Sequence, residues 1–261
     1  MSGRNEITTP ALLLRAVDYS EADKVVTLLT RDAGKLSAFA RGVRKSTRRF
    51  RGGLGMLQPL EVVIAIRSEG LSSLRGSEAV VDCSSIGADL LRLGAGALVL
   101  ELIDLTVAEG QGDASFYQRC EGFVRWLAAE TRGPAWIDAG VQRMQLLLMD
   151  QAGLLPDVEF SARDGRPASR IDRPFWLRDG GLVDGSERKL GEPGVALTPE
   201  GLEHLVTTLH GRFAVHDSSA ADEVRDLIAH IWRWTLDRDP KAAEMYRTAW
   251  HAVVSSEQRR G

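Results

Sequence analysis

Cysteine is nearly missing from this chain: only Cys83 and Cys120 occur in 261 residues. Two thiols cannot build a disulfide framework or a four-thiolate zinc site, so both are read as small packing residues. Long apolar runs are missing as well. Runs such as those over residues 97–100 and 146–149 fall far short of a bilayer span, and the opening MSGRNEITTP has no apolar leader stretch. The expectation is a cytoplasmic protein without a membrane partner. No G-x-S-x-G, P-loop or H-E-x-x-H occurs, and His204, His210 and His216 recur every six residues, which puts them on different helical faces. Gly94 and Gly96 in LGAGAL lack the third glycine and preceding strand of a dinucleotide fingerprint and read as close helix packing. Neither catalysis nor a cofactor is expected. Aromatics are scarce in the first eighty residues, which hold only Tyr19, Phe39 and Phe50, while all six tryptophans come later.

Charge is plentiful and unevenly placed. Residues 1–80 carry 13 Lys/Arg against 8 Asp/Glu, and the other 181 carry 20 against 28, within a formal net charge of −3. A basic head on an acidic body implies one surface for polyanions and another for a protein partner. The basic residues concentrate in RGVRKSTRRFR, residues 41–51, where six are cationic and none acidic. Such a run binds polyanions or an acidic partner, or else is a solvated connection. Arg41, Arg44, Lys45, Arg48, Arg49 and Arg51 are the candidate phosphate contacts, with Lys24 and Lys35 nearby. Six engaged cations would give a single-strand salt slope of about −4, from roughly −0.7 per phosphate neutralised. Phe50, between Arg49 and Arg51, is either a stacking residue or a plug at a barrel end. Phe39 alternates with Leu36, Ala38 and Ala40 and reads as core.

The first eighty residues read as five short strands: 12–17, 24–29, 36–40, 60–66 and 71–80, separated by turn signals. Five strands of this size suit a small closed barrel, which removes exposed edges, and an OB-fold leads. The period then becomes helical, over 90–103, 116–129 and 141–152, with Ser115 placed to cap the second of these and Gly153 with Pro156 ending the third. Residues 157–194 are dense in Gly, Pro, Asp and Arg, too long for a simple loop, and read as a hairpin-based insert around Arg173–Leu177. Helices resume at Thr198, an N-cap before Pro199, and continue over 220–236 and 240–254. Trp232 and Trp234 read as core anchors. The expected organisation is α+β: an OB-fold domain over 1–80 and an α-helical domain over 81–261, interrupted by the insert at 157–194.

Two segments carry a family resemblance. ALLLRAVDYSEADKVVTLLTRDAGKLSAFARGVRKSTRRF, residues 11–50, and LLLMDQAGLLPDVE, residues 146–159, resemble the N-terminal domain and the helix end before the insert in the bacterial recombination mediator family RecO. Many members of that family place two Cys-x-x-Cys pairs in the insert. Here those positions hold Ser161 and Asp164, then Asp184 and Glu187, so a zinc-ribbon-like insert without metal is expected. The resemblance implies binding of single-stranded and duplex DNA, strand annealing, and help in loading RecA onto strands coated by single-strand-binding protein. It implies RecR and the C-terminal tail of single-strand-binding protein as partners, with RecA engaged indirectly, at the nucleoid. Two other readings of the residues are an RNA-binding OB-fold adaptor and a metal-dependent nuclease using the insert's carboxylates.

Overall fold

The computed structural model describes residues 5–46, 48–67, 70–155, 157–212 and 218–259. Its N-terminal strands are β1 (Asn5–Asp18), β2 (Lys24–Thr30), β3 (Gly34–Ala40), β4 (Phe50–Arg51), β5 (Pro59–Ile66) and β6 (Ser72–Ala79). β1 pairs antiparallel with β5 through residues 5–12 and with β2 through residues 11–18. β2 pairs antiparallel with β3, and β5 with β6. A parallel contact of Ala38–Ala40 with Ser72–Leu74 closes the circuit β1-β2-β3-β6-β5 into the five-stranded barrel expected of an OB-fold. β4 is a two-residue addition lying parallel to β6.

β1 is much longer than the expected strand at 12–17. Its first half depends on β5, a partner distant in sequence that local pattern does not show. Inside the barrel, Leu13, Val26, Leu28, Ala38, Leu60, Val62, Ile64 and Leu74 form the core, as alternation along each strand dictates.

Helices α1 (Ser84–Gly87), α2 (Leu90–Thr106) and α3 (Ala114–Ala129) follow. The Asp89 carboxylate caps α2 by accepting from the Leu91 and Arg92 N–H groups. α3 is capped by Asp113, not by the expected Ser115: the carboxylate accepts from Phe116 N–H at 2.7 Å. An ionised acceptor there also meets the positive end of the helix dipole. The helix-packing expectation holds for Gly94, while Gly96 meets the connection between β4 and β5. A Cβ on Gly94 would come within 2.9 Å of Tyr246 Cα in α7 (Lys241–Gln258), and one on Gly96 would collide with the Leu57 side chain.

The chain packs as two compact units, Met1–Thr131 with Met245–Gly261, and Arg132–Glu244. This border does not follow the change from strands to helices, because α2 and α3 pack on the outside of the barrel, against β1 and β2.

The second unit contains α4 (Pro134–Gln151), α5 (Pro199–Leu209) and α6 (Ser218–Leu236). It also holds a three-stranded sheet, β8 (Gly181–Asp184), β7 (Pro174–Leu177) and β9 (Gly194–Ala196), in that spatial order. α4 starts well before the expected Val141. The apolar period is interrupted because Asp138, 2% exposed, lies on the buried face and pairs with Arg225 of α6 at 2.6 Å. Gly153, at φ +68°, follows the end of α4; Pro156 lies outside the described residues. Thr198 caps α5 with Pro199 in its first turn, as expected. Phe175 and Trp176 are buried in the insert and Leu177 is half-buried. Trp232 is fully buried in α6, but Trp234 is only half-buried and lies against His230. Among the described residues no helix is long and apolar enough to cross a membrane.

Candidate nucleic-acid interface

The basic connection leaves β3 at Ala40 and returns to the barrel at Phe50. Its first turn is pinned by Gly42 N–H donating to Asp23 Oδ1 at 2.7 Å, and by the Lys45 and Ser46 N–H groups donating to Gly42 O. Its far end is pinned by Ser77 N–H donating to Arg49 O at 2.9 Å and by the β4–β6 pairing. Between these anchors Arg41, Lys45 and Arg48 are exposed and form no ion pair with any described residue. Thr47 lies outside the described residues. Arg49 is exposed and folded back, its Nη2 donating to Arg41 O at 2.9 Å. Arg51 stands 3.7 Å from Glu78. Arg44 pairs with Asp18 at 2.9 Å, and Lys24 pairs with the other oxygen of the same carboxylate at 2.5 Å. The Lys24 hydrogen bond, followed by the charge of Arg44, holds the Asp18 carboxyl below the usual carboxylate range.

Two of the expected contact residues, Phe50 and Lys35, are buried. Phe50 is 3% exposed and belongs to the barrel core, as the plug reading expects and the stacking reading does not; the Arg49 guanidinium carbon stands 5.4 Å from its ring centroid. A phenyl ring at the end of a small barrel gains more by burial than by exposure between two arginines. Lys35 is 8% exposed and points away from solvent. Its ammonium pairs with Asp104 at 3.0 Å and donates to the carbonyls of Asp104 and Val107, at the C-terminal end of α2. There it meets the negative end of the helix dipole and joins α2 to β3. The strand spacing that put Leu36, Ala38 and Ala40 inside left Lys35 facing that helix.

The structure also brings forward a residue that sequence reasoning passed over. Tyr19, in the turn between β1 and β2, is 70% exposed, and its ring stands edge-on to Phe39 with centroids 5.2 Å apart. Phe39 is half-buried and lies outside the barrel, contrary to its expected place in the core, because Ala38 and Ala40 take the inward positions. The signal available in the sequence was the tyrosine's place in a turn of Asp, Ser and Glu, where a core role is excluded.

In the insert, the four positions at which the family pattern puts cysteines are not arranged for a metal. Ser161 is buried, and its Oγ accepts from Arg163 N–H. Asp164, Asp184 and Glu187 all turn to one guanidinium. Arg166 Nε lies 2.8 Å from Asp164, Nη1 lies 3.8 Å from Asp184, and Nη2 pairs with Glu187. Hydrogen bonds from the Ser186 hydroxyl and backbone N–H, with Arg166 beside them, hold the Asp184 carboxyl below its ordinary range. A hydroxyl and three arginine-bound carboxylates do not fit structural zinc, which wants thiolates or imidazoles. Among the described residues no cluster of His, Cys, Asp or Glu suits a metal ion.

Comparison with known proteins agrees with this architecture. The family model described as Recombination protein O N terminal matches residues 1–81, and that described as Recombination protein O C terminal matches residues 87–244. A protein named DNA repair protein RecO from Anaeromyxobacter sp. (strain K) is 35% identical over 183 residues, 69% of each chain. Another of that name, from Nocardioides sp. (strain ATCC BAA-499 / JS614), is 31% identical over 238 residues, 89% of this chain and 95% of the relative. With both halves matched and the barrel closed as expected, the chain belongs to the RecO family, whose role lies in DNA repair and recombination.

Proposed function

We propose that this protein is a non-enzymatic recombination mediator that binds single-stranded and duplex DNA through its basic connection and anneals complementary strands. It assists loading of RecA onto strands coated with single-strand-binding protein, through RecR and the tail of the coating protein, at the nucleoid in the cytoplasm. One observation carries the reading: Arg41, Lys45 and Arg48 are exposed without a carboxylate partner among the described residues, on a connection pinned at both ends. A cation already in an ion pair must give that pair up to meet a phosphate. An unpaired one releases counterions from DNA at no such cost, so these three dominate binding, with Arg49 and Arg51 joining once they leave Arg41 O and Glu78. Arg44 and Lys24 contribute less, because Asp18 holds them. Contacts of this kind read the backbone and leave base edges free to pair, which is what annealing needs.

The test is annealing of complementary fluorophore- and quencher-labelled DNA strands, followed in stopped flow. Wild type is expected to accelerate annealing, and Arg41→Glu/Lys45→Glu/Arg48→Glu to lose most of that acceleration while keeping its circular dichroism spectrum. Equal acceleration by both proteins would contradict the proposal. Tighter binding to RNA than to DNA of equal length would favour an RNA adaptor, and magnesium-dependent cleavage of the strands a nuclease.

A further inference from the structure

We infer that Tyr19, standing on Phe39, is a stacking platform for an unpaired nucleobase of the strand whose phosphates lie on the basic connection. The inference rests on the DNA-binding reading above and adds to it a contact that discriminates single strands from duplex.

The barrel's outer surface carries a row of residues in register across four strands: Val17 opposite Val25, Val25 opposite Phe39, and Phe39 opposite Ser73. Val17 is 49% exposed and Tyr19 is 70% exposed, so apolar surface is left open beside the ring. The turn holding Tyr19 is well braced. Tyr19 N–H donates to Asp23 O at 3.0 Å, and Asp23 N–H donates to Ser20 Oγ at 3.1 Å. The ring therefore stands on a fixed turn against a fixed neighbour, and a ligand that stacks on it has little left to order.

Charge identifies the occupant. The turn and the basic connection form one hydrogen-bonded unit: Asp18 binds Arg44 and Lys24, Arg44 donates to Glu21 O, and Gly42 N–H donates to Asp23. An exposed aromatic ring on the turn that binds the basic connection matches a polymer that alternates a flat apolar ring with an anion. Single-stranded nucleic acid has that chemistry, whereas a duplex keeps its base faces stacked inside the helix. The cations alone attract either form, so the ring supplies the preference for unpaired strand.

The experiment compares two ligands of equal charge by fluorescence anisotropy: a labelled oligodeoxynucleotide, and a chain of the same length built from abasic tetrahydrofuran residues. Wild type is expected to bind the base-bearing strand about five-fold or more tighter, the lower end of what one stacked base contributes. Tyr19→Ala should bring the two ligands to equal affinity with the salt slope unchanged, and Tyr19→Phe should keep the difference. Equal binding of both ligands by wild type, or a difference that survives in Tyr19→Ala, overturns the platform while leaving backbone binding intact. If wild type binds neither ligand, the DNA-binding reading fails and the platform with it.

Discussion

The Arg44 guanidinium lies 2.9 Å from the Asp18 carboxylate, whose second oxygen is taken by Lys24. One anion thus holds two of the cations that could meet a phosphate. Replacing it by a neutral isostere should release both. Asp18→Asn is expected to raise affinity for single-stranded DNA at low salt about two- to five-fold, the scale of an exposed ion pair. The gain should shrink as salt screens the released charges. A fall in affinity at low salt would mean that the pair orders the site.

The same pair sets a pH dependence. Asp18 titrates below its ordinary value near 3.8 because Lys24 donates to it and Arg44 lies beside it. A depressed carboxyl contributes fully above the unfolded-state value and loses its contribution only as pH falls through the lower folded-state value. An NMR titration of the Asp18 carboxyl carbon should therefore give a midpoint below 3.8 in wild type and a higher one in Lys24→Gln. Identical midpoints in the two proteins would remove the pair from the account.

Phe50 separates packing from binding. It is 3% exposed in the barrel core, so Phe50→Ala should lower unfolding free energy by about 3–5 kcal/mol in a denaturant titration. Phe50→Leu keeps most of the volume and should cost under about 1.5 kcal/mol, with DNA affinity unchanged. A stable Phe50→Leu protein that binds DNA weakly would restore the stacking role withdrawn above.

Arg166 supplies the insert with a cation of the chain's own. Its guanidinium meets Asp164, Asp184 and Glu187, drawn from two separate turns. Arg166→Met should destabilise the unit by about 1–2 kcal/mol, the scale of charged hydrogen bonds in a partly exposed setting. Faster amide exchange should be confined to the segments around 161–167 and 181–187. Treatment of wild type with a chelator should leave its thermal midpoint unchanged. A midpoint lowered by the chelator would show a metal where the arginine is placed.

What the sequence made legible followed from local periodicity. Short apolar segments between turn signals marked 24–29 and 60–66 as strands of a small barrel, and the Thr198-Pro199 pair marked the start of α5. What it hid depended on partners distant along the chain. The first half of β1 is a strand because of β5, and α4 carries Asp138 on its buried face because of Arg225. The candidate site divided along the same line. Charge density located the connection, but only the fold shows that Lys35 is spent on α2, that Phe50 is core, and that Tyr19 stands open on Phe39. A basic residue's type does not say whether its charge is free, since that depends on which carboxylate or carbonyl the fold brings to it.

The central claim is that the unpaired cations of the Arg41–Arg51 connection carry the phosphates. It is tested most directly by anisotropy of a labelled single-stranded oligonucleotide across a salt series, comparing wild type with Arg41→Gln/Lys45→Gln/Arg48→Gln. At roughly −0.7 per phosphate neutralised, the variant's salt slope should be shallower than that of wild type by about 2, with much weaker binding at low salt. Parallel slopes and equal affinities, in a variant with the wild-type circular dichroism spectrum, would place the DNA elsewhere on the protein.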